Sequence, residues 1–583
     1  MVCVSWLGPS ELRIGIGCMR LPADEQLALE TIGAAAGAGI TVFDTAHAYG
    51  PEQLGPGQNE LLVARGLRAA GRQRTARIVT KGGMTRPGGA WVPDGRAKSI
   101  AADCEASLAA LDGLPIDLYL IHAPDPRTPW RTSVRALARI VEQGLVQRVG
   151  IANVTRTQLD EALELAPIVA VQVALSPLDD RALRGGVVAR CTELGLTLIA
   201  HSPLGGPRRA GALARRPELT QIAKRHDATP SQVALAWLLG LSQAVVPIPG
   251  ARRPESARSA ARAVALELGD DERTALTASF SGVPGPANRR SVSGSQRADA
   301  EGEVVIVMGI PGAGKSRLAA GYAERGYVRL NRDERGGSLR ALAVELDEQL
   351  AAGVRLAVLD NTYLTRASRS HVVDAVARHP VALRCVWVDT PLAQAQVNLV
   401  ERLLERFGSL PLPEQIRDAA RREPWLMLPT SQMRALRELE PPSIDEGFNA
   451  VERVPFARVS AVGGRPGVFI AGAAATRPGI VHALGNADPA APHLIFDWVP
   501  DGDAGSLGGV AAHVAQAVTG AIDVAVCPHP GGPPSCWCRP PLPGLPLAFA
   551  RVHHVDPTRS TVVGCTPAHR TLATTLGARY IPL

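Results

Sequence analysis

The 583-residue chain is short of lysine: only Lys81, Lys98, Lys224 and Lys315 occur, and the rest of its 62 basic residues are arginine. Arginine serves wherever a generic positive charge will do, so a lysine that persists points to chemistry a guanidinium cannot perform. Long apolar runs are also missing. None reaches the roughly 18 residues of a membrane span. The start, MVCVSWLGPSELRIG, lacks the basic-then-apolar order of a signal peptide. These absences lead to the expectation of a cytoplasmic protein with no membrane partner. Cysteine is scarce, nine residues, an odd number scattered except near the C-terminus. That excludes a disulfide framework and makes metal binding the expected use of the one tight cluster. Excess charge of one sign is small, +7, which permits a nucleic-acid partner without arguing for one.

What is present is length and alternation. The chain is too long for one hydrophobic core, and three domains is the natural expectation. Its 46% apolar and 20% charged residues are those of an ordinary globular protein. Over residues 1–280, short β-rich runs (TVFDT, RIVTKG, DLYLIHAP, VQRVGIAN, AVQVALSP, LTLIAHSP, AVVPIPGAR) alternate with Ala/Leu-rich amphipathic segments. This pattern predicts parallel strands with crossover helices, most economically a (β/α)8 TIM barrel. Polar residues follow successive strand runs: Asp44 and Tyr49 in FDTAHAYG, Lys81 in VTKGG, His122 in LIHAP. That is the rim where barrel enzymes keep their chemistry.

These residues closely resemble the aldo-keto reductase family, whose Asp, Tyr, Lys and His tetrad is complete here. The resemblance implies NADPH-dependent reduction of a small aldehyde or ketone. Tyr49 would be the general acid, Lys81 held by Asp44 would ease its proton transfer, and His122 would orient the carbonyl. The family's cofactor positions match at Asn153 in GIANV, Gln172 in VQVALSP and Ser202 in AHSPLGG. They also match in PIPGARRPES, with Gly250 and with Arg252 or Arg253 to meet a 2'-phosphate. One position departs: where the family usually stacks a tyrosine on the nicotinamide, this chain has Leu175.

Residues 281–301, SGVPGPANRRSVSGSQRADAE, read as a linker. A second domain, 302–458, opens with EVVIVMGIPGAGKSRLAAGYA: a buried strand, a glycine loop and a helix. In the loop Gly309, Gly312 and Gly314 let backbone N–H groups curl around phosphate, Lys315 reaches the β and γ phosphates, and Ser316 can ligate Mg2+. ATP with Mg2+ is the expected ligand. Downstream, NRDERGG, DNTYLTRASR, NLVERLLERFG and EPPSIDEGF resemble the kinase domain of polynucleotide kinase-phosphatases. That resemblance implies Asp333 as the base acting on a nucleic-acid 5'-hydroxyl and Asp360 as a carboxylate near Mg2+. It makes Arg402 and Arg406 lid residues that clamp the phosphoryl group. Arg369 is a candidate for the acceptor's 3' phosphate.

The last segment, 466–583, carries CPHPGGPPSCWCRPPLPG. Cys527, His529, Cys536 and Cys538 supply the three thiolates and one imidazole that tetrahedral Zn2+ accepts. Trp537, between two of them, is expected to pack. GVFIAG, HLIFDW and STVVGCTPAH around this cassette resemble a haloacid-dehalogenase (HAD)-like α/β phosphatase. Yet Ala471 and Ala473 replace its aspartates, and Phe496, Pro540, Cys565 and His569 replace its phosphate and metal ligands. Without a carboxylate nucleophile no aspartyl-phosphate forms, so a structural metal in an inactive phosphatase is expected. The combination suggests nucleic-acid end repair. Two rivals are a small-molecule kinase-reductase of metabolism and an NADPH-sensing barrel that regulates the kinase.

Overall fold

The computed structural model describes residues 6–50, 55–280, 301–455 and 464–583. The expected linker lies outside the described residues except for Glu301. The chain divides into two compact units, Met1–Val292 and Ser293–Leu583.

In the first unit eight strands form one parallel sheet in the order β1 (Gly15–Gly17), β2 (Val42–Asp44), β3 (Arg77–Gly82), β6 (Leu118–Ile121), β7 (Val149–Ala152), β8 (Ile168–Ala174), β9 (Thr197–His201), β10 (Val245–Ile248). A bridge between Gly17 and Gly250 closes the ring. A small hairpin, β4 (Met84–Thr85) and β5 (Val92–Pro93), stands on the loop after β3. Seven of the eight barrel strands coincide with the β-rich runs. The eighth, β1, is three residues long and two of them are glycine, so it leaves no periodic signal. Glycine is needed there, because a Cβ at Gly15 would meet Val42 at 2.8 Å and Ile248 at 2.9 Å. The crossover helices are amphipathic, as in Trp130–Glu142, which buries Val134, Leu137 and Ile140 on one face. Thr155 with Gln158 and Thr229 with Gln232 form capping boxes that fix where two other helices start.

The second unit holds two five-stranded parallel sheets. One has the order β12 (Val328–Leu330), β13 (Leu356–Asp360), β11 (Glu303–Met308), β14 (Ala382–Asp389), β15 (Ala450–Pro455). The other has the order β18 (Ile522–Cys527), β17 (His493–Trp498), β16 (Val468–Ala471), β19 (Thr561–Gly564), β20 (Arg579–Pro582). The expected boundary between 458 and 466 separates the sheets, but not the core. Val400, Leu403 and Leu404 of the helix Leu392–Phe407 belong to the same apolar cluster as Phe469, Trp537 and Leu572.

Arg369 has a different place from the one expected. It is fully buried, doubly hydrogen-bonded to Glu446 at 2.8 and 2.6 Å, and its remaining nitrogen donates to the carbonyls of Tyr363 and Glu440, both at 3.0 Å. With all three nitrogens engaged inside the fold it ties the segment Glu440–Glu446 to the sheet, and its burial keeps it from an acceptor phosphate. Removing one member of a buried ion pair leaves the other charge unpaired, at a cost of about 3–5 kcal/mol. Arg369→Leu should therefore lower the stability of the second unit by that amount in denaturant titrations. A change below 1 kcal/mol would show that Glu446 is compensated otherwise.

Candidate active sites

In the barrel, the carboxyl ends of β2, β3 and β6 bring the expected tetrad together. Lys81 is fully buried, and its Nζ donates to Asp44 Oδ1 at 2.7 Å and to the Thr45 carbonyl at 2.7 Å. The same ammonium lies 5.0 Å from the Tyr49 ring centroid. His122 meets the Tyr49 ring edge-on at 5.5 Å. Burial pushes the Tyr49 phenol above its ordinary value, and Lys81 pulls it part of the way back. Burial pulls the Lys81 ammonium down, but Asp44 and Tyr49 outweigh that, so the lysine stays charged. His122 is held down to about 3 by burial and then by the Lys81 charge, which keeps the imidazole neutral.

The cofactor candidates surround this centre. Asn153 and Ser202 both adopt left-handed backbone conformations, φ +57° and +53°, sparsely populated by residues other than glycine and frequent at functional sites. Asn153 Nδ2 donates to the His122 carbonyl at 2.9 Å. Gln172 donates to Asp44 Oδ1 at 2.6 Å, so in this state its amide steadies the carboxylate that holds Lys81. Gly250, Arg252 and Arg253 are exposed just before the helix Pro254–Arg262, whose first turn has no side-chain cap. Leu175 is fully buried.

Two neighbours escaped the sequence reading. Trp91, on the β4–β5 hairpin, is 42% exposed and packs edge-on against Tyr49 at 6.0 Å and His122 at 5.7 Å, with the Arg86 guanidinium 4.2 Å from its ring. A lone tryptophan in the Gly/Pro-rich loop after the lysine strand was the available signal. His201, at the end of β9, bridges Asn153 Oδ1 at 3.0 Å and Ser202 Oγ at 3.2 Å. Its Nδ1 and Nε2 thereby connect two of the cofactor candidates. Nothing in AHSPLGG distinguished it from a structural histidine.

In the second unit the glycine loop runs from β11 into the helix Lys315–Ala323. Gly312 and Gly314 have φ of +84° and +94°, and a Cβ on Gly312 would collide with the Ala395 carbonyl, so only glycine closes this turn. Lys315 Nζ donates to the Ile310 carbonyl at 2.9 Å, folding the lysine over the loop. Burial pulls its ammonium down to about 8, with the charges of Asp360 and Asp333 opposing. Asp333 opens a one-turn helix whose start is fixed by Asn331 Oδ1 accepting from its N–H at 2.7 Å. Asp360 is buried at the end of β13, where its Oδ2 accepts from Arg329 and from Asn331 Nδ2 at 3.1 Å. Arg329 was not foreseen, and its charge competes with a cation for this carboxylate.

The two lid arginines part company. Arg402 lies 4.2 Å from the Trp425 ring and feels the charges of Asp333 and Asp360. Arg406 pairs with Glu423 at 2.9 Å on an exposed face and does not join the cluster. Ser316 is exposed at the mouth of the loop.

In the C-terminal sheet, Ala471 and Phe496 are fully buried at the strand ends. One carboxylate does enter this region. Asp497 Oδ2 accepts from the Ala473 N–H at 3.1 Å, a contact made across strands that the local sequence around Ala471 did not disclose. His569 Nδ1 accepts from the Cys565 N–H at 3.1 Å.

The cysteine cassette closes as expected. Cys527 Sγ lies 3.6 Å from Cys536 Sγ and 3.6 Å from His529 Nδ1, which is 3.2 Å from Cys538 Sγ, and all four donor atoms fall within 4.8 Å of one another. A tetrahedral ion with bonds of about 2.0–2.3 Å needs donor separations of about 3.4–3.8 Å, so the donor set fits Zn2+. Among the described residues no other group of this kind occurs, and no helix is long and apolar enough to cross a membrane.

A closed parallel barrel with a buried Lys–Asp pair beneath a tyrosine, and a neutral histidine beside it, defines a reductase of the barrel class. Family comparison agrees: the Aldo/keto reductase family profile matches residues 13–279. Probable aldo-keto reductase 1 of Glycine max is 32% identical over 308 residues, covering 47% of this chain and 85% of that protein. Aldo-keto reductase str7 of Strobilurus tenacellus is 29% identical over 318 residues, covering 49% and 90%. Among solved structures, a thermostable aldo-keto reductase in complex with epalrestat is 31% identical and covers 46% of this chain and 94% of its own, with a TM-score of 0.39. An aldo-keto reductase of Klebsiella pneumoniae in complex with NADPH is 24% identical, covering 46% and 90%, with a TM-score of 0.40. The chain belongs to the aldo-keto reductase family. A second profile, described as an AAA domain, matches residues 304–423 and marks the P-loop domain.

The pH response follows from His122. A histidine depressed to about 3 in the fold and ordinary when unfolded leaves stability complete above about pH 6.5. Stability is then lost as pH falls toward 3, because only the unfolded chain takes up the proton. The loss should be about 1.4 kcal/mol per pH unit for this one group. His122→Gln should flatten the slope of unfolding free energy between pH 6 and 4 by that amount, and an unchanged slope would refute the assignment.

Proposed function

We propose that the barrel is an NADPH-dependent reductase of small aldehydes or ketones. We further propose that the P-loop domain is an ATP- and Mg2+-dependent kinase acting on the 5'-hydroxyl of a nucleic acid, with the C-terminal sheet as an inactive, zinc-stapled phosphatase relative. The observation that carries the first part is the 2.7 Å Lys81–Asp44 pair beneath Tyr49. When bound, the nicotinamide supplies the hydride. Tyr49 delivers the proton to the carbonyl oxygen as that oxygen becomes negative, and Lys81 stabilises the phenolate left behind. Neutral His122 can donate a hydrogen bond to the same oxygen without a competing charge. Trp91 and Tyr49 wall one side of the substrate space. Arg252 and Arg253, beside the uncapped N-terminus of Pro254–Arg262, suit the 2'-phosphate that separates NADPH from NADH.

The kinase reading is supported by the glycine loop that leads into Lys315 and by the charges of Asp333 and Asp360, which both Lys315 and Arg402 feel. In this reading the exposed Asp333 accepts the proton of an incoming hydroxyl, and Lys315 with Arg402 neutralises the transferring phosphoryl group. The sequence around these residues favours a polynucleotide over a sugar or nucleoside. The phosphatase reading is negative on chemical grounds: Asp497 is a single acid, already engaged with backbone N–H groups, where the reaction needs a nucleophile, a second carboxylate and a metal.

Tyr49→Phe should reduce aldehyde turnover at least a hundredfold while NADPH binding, followed by fluorescence, changes less than threefold. Wild-type protein that binds NADPH yet oxidises it with no aldehyde in a broad panel would leave the sensor reading in its place. For the kinase, labelled γ-phosphate transfer to a 5'-hydroxyl oligonucleotide should vanish in both Lys315→Ala and Asp333→Ala, but only Lys315→Ala should lose ATP binding. Activity on the oligonucleotide should fall steeply with salt as phosphate contacts are screened. Efficient phosphorylation of nucleosides or sugars, with none of oligonucleotides, would replace end repair with the metabolic alternative.

A further inference from the structure

The phosphate loop is held from behind by three side chains. The carbonyls of Pro311, Gly312 and Ala313 accept, respectively, from Gln432 Nε2 at 2.9 Å, Asn398 Nδ2 at 2.7 Å and Thr390 Oγ1 at 2.9 Å. Drawing these oxygens outward leaves the loop's N–H groups free to face a phosphate. Gln432 is fully buried, and its Oε1 has no hydrogen-bond partner, so the amide is kept in place for the one bond it donates to the loop.

Two of the three holders are anchored in the C-terminal sheet domain. Gln432 lies on the helix Pro429–Glu438, and Met427, two residues before that helix, accepts from Trp537 Nε1 at 2.9 Å. Trp537 is 2% exposed and stands between Cys536 and Cys538, two of the four metal-type donors. Asn398 lies on the helix Leu392–Phe407, whose Gln394 donates to the Thr575 carbonyl at 3.3 Å and whose apolar side shares a core with Trp537. A continuous path of packed and hydrogen-bonded groups thus runs from the cysteine cassette through Trp537, Met427 and Gln432 to Pro311.

We propose that Trp537 and Gln432 are positioning residues for the phosphate loop, and that metal in the Cys527–His529–Cys536–Cys538 cluster sets nucleotide affinity at the loop through them. The proposal rests on the nucleotide and metal readings above and gives the inactive domain a task. Two ligands flanking one residue fix that residue's place. When the metal leaves, the turn around Trp537 relaxes, the start of Pro429–Glu438 loses its tether, and the Gln432 bond to the loop is the first polar contact to lengthen.

The test uses the full chain. ATP binding is measured by calorimetry for metal-loaded and chelator-stripped protein, with metal content by mass spectrometry and hydrogen exchange of the 309–316 peptide as the readout of loop order. Stripping should weaken ATP binding about five- to tenfold, the scale of one lost hydrogen bond, and speed exchange in that peptide. Trp537→Phe keeps the packing but removes the indole donor and should do the same with metal retained. Gln432→Leu removes both the donor and the unpartnered oxygen, so it should fold normally, keep its metal and still lose affinity. If Trp537→Phe and Gln432→Leu bind ATP within twofold of wild type, the positioning role is overturned. If those variants weaken binding but stripping does not, or no zinc binds even on reconstitution, the metal control is overturned while the positioning role stands. Failure of the loaded wild type to bind ATP at all would overturn the nucleotide reading itself and the proposal with it.

Discussion

A lysine ammonium drawn onto protein acceptors beside the carboxyl end of a parallel sheet is the interaction that recurs in both units. In the barrel it is Lys81, paired with Asp44 and aimed at Tyr49. In the P-loop domain it is Lys315, drawn onto the loop carbonyl of Ile310 while Asp333 and Asp360 oppose its desolvation. A compact ammonium fits a narrow polar gap between strand ends where a planar guanidinium does not. A chain with only four lysines places two of them here. The barrel surrounds its lysine with compensating groups, Asp44 and the Thr45 carbonyl, and the charge persists. At the P-loop the burial cost is less completely met, and the ammonium is lowered instead.

The C-terminal sheet of the second unit has a mechanical connection to the P-loop domain. Its strands bury Ala471 and Phe496, and Cys565 and His569 contact each other, so these positions hold no carboxylate. Yet the same domain supplies Phe469, Trp537, Leu545 and Leu572 to the core that seats the helix Leu392–Phe407. Deleting it would expose that core and free two of the three side chains that hold the phosphate loop.

Much of the site was legible because the chemistry sits on short, contiguous motifs at strand ends. FDTAHAYG, VTKGG, LIHAP and GIPGAGKS each carry their functional residue at a fixed offset from a buried strand, so recognising the strand places the residue. What escaped depends on contacts between distant segments. Trp91 reaches Tyr49 and His122 only because the β4–β5 hairpin folds back over the rim. Arg369 looked like a free cation in LTRASR, but the return of Glu440–Glu446 against it makes it a buried structural clamp. Arg402 and Arg406 are four residues apart on one helix, and still one stacks on Trp425 while the other pairs with Glu423.

The sequence by itself determined the order of the domains, the parallel character of their sheets, and the identity of the groups at the strand ends and in the cysteine cassette. These follow from local periodicity and from residue types with few alternative uses. Only the tertiary structure decided which of those groups are free to act. A side chain's availability depends on whether another segment has already satisfied its hydrogen bonds or charge, as Glu446 does for Arg369 and Arg329 for Asp360. It also decided that the last two sheets share one core, because burying the apolar face of Leu392–Phe407 requires the helices Gly544–His553 and Pro567–Leu576, more than a hundred residues away in the chain.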